Sequence, residues 1–534
     1  MSASRIVISG LGLGLFLIQG ACGSSKTQAQ FDAWEPSKDT SPPQSGNDDS
    51  SDLAVGPDTA ATTNDAAPPQ PDTATPTNDA ATRQPDAAAP TNDTATRQPD
   101  TAAPMGDTAA PPPDAILPIG DAATRQPDVA ATQKPDASGQ DNDVSDAAVG
   151  PGKVGESLAN YILATWPNLN TYTNKDWEYT NGIVLYGVTK IYEKSGKPEY
   201  LNYVKTFVDR YVNASGTISY ATSGTPRDPR ILDTLEPSNL LFDLYKTTND
   251  ARYLTAMTNT RKVFPTIQTN SLGGFFHKPS YPYEMWLDGL YMAEPFLVRY
   301  GNQVSPAVDS TGADQSDCYA TATAQFKLLA QELMDRKNAD AIRRLPVHAW
   351  ADLAGLTSAG KTPPVWANAT TGQSPTIWSR SLGWWALALV DALEYLPQQH
   401  PDYQTLAGIF VDVAAGLKAT QDPATGLWYQ VTDQGAQADN WLETSASALF
   451  TYALKRGVKE AIIGSDYDAV ASAGWEGVKK KVLIAGNTVT VQGAVGGMSV
   501  LSSYAAYVGA KSLVADNVPH GLAAVLFAAS ELEY

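Results

Sequence analysis

Apolar residues recur every three or four positions along most of the chain from about residue 154 onward, which places them on one face of a helix. The stretches with this spacing are ESLANYILATW, WEYTNGIVLYGVTKIYEKSG, PEYLNYVKTFVDRYV, PSNLLFDLYKTT, RYLTAMTNTRKVF, YEMWLDGLYMAEPF, DCYATATAQFKLLAQELMD, WSRSLGWWALALVDALEYLP, YQTLAGIFVDVAAGLKAT, TSASALFTYALKRG, SDYDAVASAGWEGVKKKV and PHGLAAVLFAASELEY. Strand-like alternation is confined to GTISYA and NTVTVQGAV. The pattern therefore predicts a large all-α domain.

The connections between these helical stretches narrow the prediction. The predicted helices follow one another in pairs, and long segments rich in Gly, Pro, Asp and aromatic residues, such as HKPSYPYEMW, separate the pairs. Sequential helix pairs joined in this way favour an (α/α)6 barrel, in which the inner helices and the loops at one end enclose a pocket. Periodicity alone supports only the all-α class, and the barrel is the more specific expectation.

The N-terminal stretch MSASRIVISGLGLGLFLIQGACGSS has the form of an export signal. Arg5 supplies the positive charge, and the apolar run Ile6–Ile18 is too short to span a bilayer as a stable helix. Gly-Ala-Cys before residue 23 resembles a bacterial lipoprotein cleavage site, although Gln19 stands where an aliphatic residue is usual. We therefore expect residues 1–22 to direct export to the cell envelope and Cys22 to carry a lipid anchor, with ordinary cleavage and secretion as the alternative.

Residues 23–150 differ in composition from everything after them. They repeat units such as ATRQPD, and residues 24–150 hold 21 acidic against 6 basic residues in a chain of net charge −20. Asp recurs every seventh position from residue 58 to 128, but without an apolar seam and with many prolines, which excludes a coiled coil. Such a segment buries too little apolar surface to fold. We predict a disordered, self-repelling tether, followed by a globular domain over residues 151–534.

The sequence lacks the motifs that are typical of several classes of enzyme. The chain has no G-x-G-x-x-G at a strand–helix turn, no P-loop, no H-E-x-x-H and no G-x-S-x-G. Its four histidines are not at metal-ligand spacing from one another. The acidic balance argues against a nucleic-acid partner. We therefore expect neither a metal nor a cofactor, and the remaining candidates are carboxylates, aromatic residues and single basic residues.

One carboxylate stands in an apolar, aromatic run: Asp288 in YEMWLDGLYMAEPF. A buried carboxylate is costly unless it is paired or protonated. Three other stretches combine acids or bases with aromatic residues: DWEYTNG, VHAWADLAG and WSRSLGWW. A fourth, LDTLEPSN, places Asp233 and Glu236 in the loop before a predicted helix. Singly, each has a simpler interpretation: Asp233 as a helix cap, His348 as a core histidine, Arg380 and Trp384 as a stacked surface pair. Together they predict a pocket for a carbohydrate that bears a carboxylate.

In these stretches the sequence resembles glycoside hydrolase family 105, the unsaturated rhamnogalacturonyl hydrolases, which are related to the family 88 unsaturated glucuronyl hydrolases. The resemblance runs from about residue 176 to 534. It is carried, in order, by GGFFHKPSYPYEMWLDGLYMAEPF, HAWAD, SPTIWSRSLGWWALALVDALEYLP, ETSASALFTYALKRG and VPHGLAAVLFAASELE. Many members have a G-T-C-V-G-T-like stretch near the end, where this chain has VQGAVGGMSVL without cysteine.

The resemblance implies an (α/α)6 barrel that needs no metal and acts on an anionic unsaturated oligosaccharide. It implies that Asp288, in WLDGLYM, is the general acid/base and that Asp233 is the carboxylate that assists it. The residues that it places around the unsaturated sugar are Tyr179, His277, Trp286, Met292, His348, Arg380 and Trp384. A general acid that is to hold its proton should lie in apolar surroundings, and Trp286, Tyr291 and Met292 are expected to provide them.

Other functions stay open at the level of sequence. A glycosaminoglycan-specific family 88 enzyme would have the same barrel. A sugar epimerase could use His277 and His348 as its acid and base, but the WLDGLYM motif would then have no role. A surface lipoprotein that binds pectic fragments without catalysis is a further alternative, which the presence of both Asp233 and Asp288 disfavours.

Overall fold

The computed structural model describes residues 152–221, 225–304 and 315–534. The predicted signal peptide, Cys22 and the tether of residues 23–150 lie outside the described residues. Where the chain is described, its longer helices are α1 (Val154–Thr165), α2 (Tyr179–Ser195), α3 (Pro198–Val208), α4 (Leu240–Thr248), α5 (Ala251–Arg261), α6 (Leu287–Gln303), α7 (Gln315–Leu333), α8 (Ser379–Tyr395), α9 (Tyr403–Thr420), α10 (Thr444–Lys459), α11 (Tyr467–Lys479) and α12 (Pro519–Leu532). None of the described helices is both long and apolar enough to cross a membrane.

The helices form two concentric rings. In the inner ring, α2 contacts α12, α12 contacts α10, α10 contacts α8 and α8 contacts α6. Helix α4, with the 3₁₀ turn Glu236–Asn239 before it, closes the ring between α6 and α2. The odd-numbered helices lie outside, each against an inner neighbour: α1 on α12, α3 on α2, α5 on α4, α7 on α6, α9 on α8 and α11 on α10. The predicted (α/α)6 barrel is therefore confirmed.

Sequence explains why the inner helices are inside. In α8 every side chain from Ser379 to Leu393 is buried, as expected for a helix that is apolar nearly all round. Helix ends follow local chemistry as well. At the start of α2 the Glu178 carboxylate accepts a hydrogen bond from Thr180 N, and after its end Gly196 adopts the left-handed conformation, φ 69°.

The inner helices all run in the same direction. At their N-terminal ends, the Tyr179 hydroxyl of α2 lies 3.0 Å from Nε2 of His520 in α12. At their C-terminal ends, Arg456 of α10 contacts Glu531 of α12 at 3.1 Å. One mouth of the barrel is therefore lined by helix N-termini and the other by helix C-termini.

Short antiparallel strand pairs lie in the segments that connect the helices. β1 (Glu284–Trp286) pairs with β2 (Ala349–Ala351), β3 (Val482–Ala485) with β4 (Thr488–Val491), and β5 (Ala494–Val495) with β6 (Val514–Ala515). NTVTVQGAV thus supplies two strands, divided where Gly493 takes φ 74°. GTISYA forms no named strand and makes one isolated bridge, between Ile218 and Val212, across the tight turn at Gly216 (φ 73°).

The C-terminal mouth holds a buried charge cluster. Asp391 of α8 is 5% exposed and accepts a hydrogen bond of 2.9 Å from the Tyr452 hydroxyl of α10. Burial raises the pKa of Asp391 to about 6, although the positive charges of Lys190 and Arg456 oppose the shift. Arg456 lies in the last turn of α10, where the helix dipole favours cations.

This cluster makes stability depend on pH. Since the folded pKa of Asp391 exceeds its unfolded value, its contribution to stability is complete below the unfolded pKa and is lost as pH rises through about 6. Asp391→Asn should remove that dependence. The free energy of unfolding of Asp391→Asn, measured relative to wild type at the same pH, should therefore rise by roughly 1–3 kcal/mol between pH 4 and pH 7.

Urea unfolding across this pH range measures the difference. Asp335→Asn, at an exposed carboxylate, is the matched control. A constant gap between Asp391→Asn and wild type at all pH values would contradict the assignment.

Candidate active site

The pairing of β1 with β2 builds the first part of the site. Trp286 lies opposite Ala349, and Leu287 N donates to His348 O at 3.1 Å. This register sets the segment before β2 beside the first turn of α6. Nε2 of His348 consequently lies 3.2 Å from Oδ2 of Asp288, although the two residues are sixty positions apart in the chain.

Asp288 and His348 form a partly open pair. The Asp288 side chain is 14% exposed, whereas that of His348 is fully buried. His348 is oriented from behind, because its Nδ1 lies 2.7 Å from the Tyr507 hydroxyl, which also accepts a hydrogen bond from Leu501 N. Despite their proximity, Asp288 Oδ2 and His348 Nε2 make no well-aligned hydrogen bond within the described part of the chain. Both atoms are buried and face each other, and the exposed part of the Asp288 side chain does not include Oδ2.

Asp233 belongs to a second pair. It lies in a 3₁₀ turn before α4, and its Oδ2 is 3.0 Å from Nζ of Lys278. Burial alone would raise the pKa of Asp233, but the charges of Lys278, His277 and Arg227 and the hydrogen bond from Lys278 together outweigh it, and the pKa falls below its ordinary value. Asp233 also raises the pKa of Lys278. Asp233 is therefore a carboxylate and Lys278 an ammonium group near neutral pH.

His277 lies between the two acids. Its Nε2 is 3.9 Å from Oδ1 of Asp233, and both Asp233 and Asp288 act on its titration. Burial nonetheless lowers the pKa of His277 to about 4. The imidazole is neutral at pH 7, so it can offer a hydrogen bond to a ligand but no positive charge.

Two further acids lie beneath Asp233. Glu236 is fully buried, and both of its carboxyl oxygens are without a hydrogen-bond partner among the described residues. Only a glycine fits opposite, because a Cβ on Gly182 would come within 1.7 Å of Glu236 Oε2. Burial, then the charges of Glu178 and Asp233, raises the pKa of Glu236 well above its ordinary value. Burial and Asp233 likewise raise the pKa of Glu178.

Aromatic rings flank the acids. Trp286 stacks on His277 with ring centres 4.2 Å apart and on Tyr281 at 5.0 Å. It also meets the edge of His348 at 5.6 Å. Both His277 and His348 therefore pack against the indole of Trp286.

Arg380 is placed differently from the expectation of a surface pair with Trp384. It is 1% exposed, its guanidinium lies over the Trp378 ring at 4.6 Å, and Trp384 stacks on Tyr291 instead. The terminal nitrogens of Arg380 donate to the carbonyls of Val495 and Gly496. Arg380 therefore ties the β5 loop to the N-terminal mouth.

The remaining predicted residues lie at the edge of this group or below it. Tyr179, in the first turn of α2, reaches His520, and a Cβ on Gly497 would lie 3.9 Å from both side chains. Met292 and Trp384 are 2% and 1% exposed and belong to the main core. The structure thus brings Asp233, His277, Trp286, Asp288 and His348 together, with Tyr179 and Arg380 on the side of the β5 loop.

Sequence reasoning did not select several residues that shape the site. They are Glu178, Glu236, Lys278, Glu284, Tyr507 and His520. Lys278 directly follows His277 and was detectable as the one cation in GGFFHKPSYPYEMW. Glu236, Tyr507 and His520 act through tertiary contacts that leave no local pattern, whereas Glu178 and Glu284 bind Thr180 and Trp286 two positions further along the chain.

The inner helices run parallel and carry carboxylates and histidines at their N-terminal mouth. The model of the family described as Glycosyl Hydrolase Family 88 matches residues 156–534, and the chain belongs to this family.

Known proteins resemble the chain to different extents. The unsaturated rhamnogalacturonyl hydrolase YesR of Bacillus subtilis is 27% identical over 284 residues, which cover 52% of this chain and 70% of YesR. A solved structure of a family 105 glycoside hydrolase from C. acetobutylicum is 28% identical, with a TM-score of 0.61, and covers 72% of this chain and 99% of that one.

A protein of Agrobacterium fabrum named Atu3128 is 46% identical over 110 residues, which are 20% of this chain and 46% of that protein. A 24.9 kDa protein from the picA locus of Rhizobium radiobacter matches to the same extent. The chain thus spans about half the length of these two curated relatives.

The Asp233–Lys278 pair predicts a pH-dependent loss of stability. Lys278→Met leaves a buried carboxylate without its counter-charge and should lower the free energy of unfolding at pH 7 by roughly 1–3 kcal/mol. Without Lys278, burial raises the pKa of Asp233, so the loss should shrink as pH falls and the carboxylate takes up a proton.

Chemical unfolding at pH 5 and pH 7 tests this, with Lys262→Met at an exposed lysine as the control. Adding Asp233→Asn to Lys278→Met should restore most of the lost stability. Equal losses at both pH values, with no recovery in the double variant, would show that the ion pair does not hold this part of the site.

Proposed function

We propose that this protein removes the 4,5-unsaturated uronic acid from the non-reducing end of pectic oligosaccharides generated by a polysaccharide lyase. The observation that carries the proposal is the Asp288–His348 pair, 3.2 Å apart, which faces a second pair of Asp233 and Lys278 across a neutral His277. The similarity to a Bacillus unsaturated rhamnogalacturonyl hydrolase supports the choice of substrate class.

The electrostatics of the mouth suit an anionic sugar. Six inner helices direct their N-termini toward it, and each helix N-terminus carries about half a positive charge. Lys278 adds a full charge beside Asp233. A uronate carboxylate near this mouth gains from both, while the stacked rings of Trp286 and Tyr281 offer apolar faces for a sugar ring.

The reaction proceeds by hydration of the vinyl ether, not by displacement at the anomeric carbon. Asp288 in its acid form delivers a proton to C4, and positive charge develops at C5 beside the ring oxygen. A water molecule adds at C5 and gives one proton back to Asp288. The resulting hemiketal opens, and the rest of the saccharide leaves. Asp288 ends the cycle protonated, and one water is consumed.

Three residues near Asp288 have supporting roles in this reaction. His348, held by Tyr507, lies against Oδ2 of Asp288 and orients its carboxyl group. Asp233 stays ionised because of Lys278, and its negative charge stabilises the cation that forms at C5. His277 is neutral and adds a hydrogen bond to the sugar without opposing that cation.

Asp288→Asn should reduce turnover by about 10²–10⁴-fold, the range for loss of one general acid/base, with the fold intact. The assay follows the ultraviolet absorbance of the conjugated double bond. It uses purified full-length protein and unsaturated disaccharides made by lyases from rhamnogalacturonan, homogalacturonan and chondroitin. Asp335→Asn is the matched control at an exposed carboxylate.

The disaccharide that is turned over fastest identifies the class of substrate. Preference for the rhamnogalacturonan or homogalacturonan product supports the pectic proposal, and preference for the chondroitin product replaces it with glycosaminoglycan fragments. Binding without loss of absorbance would identify a saccharide-binding protein. Activity of Asp288→Asn within about threefold of wild type would remove Asp288 from the mechanism.

We also propose that the chain is exported and held at the cell envelope by a lipid on Cys22, on the strength of the Gly-Ala-Cys site and the acidic tether after it. In a bacterial host, labelled palmitate should enter the wild-type protein and leave Cys22→Ser unlabelled, with the variant released from the membrane fraction. Unlabelled wild-type protein in the medium would instead indicate ordinary secretion.

A further inference from the structure

A buried acid next to the site has no place in the chemistry above. Glu284 begins β1, two positions before Trp286, so both side chains project from the same face of the strand. Glu284 is 7% exposed, and its Oε2 accepts a hydrogen bond of 2.9 Å from Nε1 of Trp286. Burial raises the pKa of Glu284 to about 7, while this hydrogen bond opposes the shift.

Stacking holds the plane of the Trp286 indole, since His277 lies 4.2 Å and Tyr281 5.0 Å from it, but stacked rings do not fix rotation within that plane. A cavity of about 10 Å³ is lined by Trp286 together with residues of α6, α7, β1, the loop before β1 and the 3₁₀ turn that holds Asp233. These other lining residues are Leu232, Phe275, Met285, Gly289, Leu290, Glu294 and Gln325. This space is about the size of one water molecule. A directional hydrogen bond is what can fix the rotation of the indole.

The orientation of the Trp286 indole affects the geometry of the site because two site residues pack against it. His277 stacks on one of its faces with an interplanar angle of 13°, and His348 meets it at 67°. A rotation of the indole would displace both imidazoles, and His348 is the group beside Asp288. Small displacements of groups around a reacting centre can cost about 10²-fold in rate.

We propose that Glu284 is a positioning residue, which fixes the indole of Trp286 through its Nε1–H and thereby sets His277 and His348 around the reacting sugar. The expected effect of Glu284 on turnover rests on the proposed function, whereas the orientation of Trp286 by Glu284 is independent of that function. Glu284 itself touches neither the sugar nor Asp288 in this role. An acceptor of the same shape, such as the glutamine carbonyl, should replace it.

The kinetic test compares Glu284→Met, which removes the acceptor, with Glu284→Gln, which keeps one. Glu284→Met should lower kcat by about 10–100-fold with a smaller effect on KM, and Glu284→Gln should stay within about threefold of wild type. In a Trp286→Phe background, which lacks the indole N–H, Glu284→Met should add less than about a twofold further loss. Glu199→Met on the exposed face of α3 is the control.

A second measurement does not need activity. With fluorotryptophan incorporated, the fluorine signal of Trp286 is assigned by its absence in Trp286→Phe. It should shift or broaden in Glu284→Met and keep the wild-type position in Glu284→Gln. An unchanged signal in Glu284→Met overturns the proposal, as does an equal kinetic loss in the Trp286→Phe background. If wild-type protein is inactive on all three disaccharides, the proposed function fails, and the fluorine signal still decides whether Glu284 holds Trp286.

Discussion

The common direction of the six inner helices is the constraint on which the rest of the structure depends. Parallel helices at close range place like dipole ends together, which is unfavourable unless charges of opposite sign compensate them. The chain supplies these charges at both mouths. Glu178, Asp288 and Glu443 lie at or beside helix N-termini, whereas Arg299 and Arg456 lie toward helix C-termini. The helix N-termini thereby help this mouth to accommodate a cluster of acids, and the same dipoles favour an anionic ligand there.

The acids at this mouth differ in charge because their surroundings differ. Asp233 has Lys278 at 3.0 Å, and its pKa is lowered, whereas no cation among the described residues acts on Glu236, and burial raises the pKa of Glu236 well above its ordinary value. Like charges so close cannot all ionise, so fixing one as a carboxylate favours the proton on the others. Gly182 makes this arrangement possible, since any side chain there would occupy the space of the Glu236 carboxyl group. The position of one cation and one glycine thus sets the charge of the whole cluster.

Much of the barrel could be predicted from sequence because helical periodicity records which face of each helix is buried. The contacts of the site could not. Asp288 and His348 meet only through the register of β1 and β2, two three-residue strands too short to leave an alternating pattern. The spacing of Arg380 and Trp384 suggested a stacked pair, but helical side chains lean toward the N-terminus. From the first turn of α8, Arg380 therefore reaches back to Trp378 and out to the β5 loop.

That loop is also where the sequence departs from the family's usual ending, and the structure shows why the departure is tolerable. The loop is held through its backbone: Arg380 binds the carbonyls of Val495 and Gly496, and Glu443 accepts a hydrogen bond of 2.9 Å from Val495 N. Backbone groups are the same for almost any residue, so these bonds place little demand on side-chain identity. At Gly497 a Cβ would make only ordinary contacts with Tyr179 and His520. The loop can therefore change its side chains, and with them the lining of the mouth, while Arg380 and Glu443 keep its path constant.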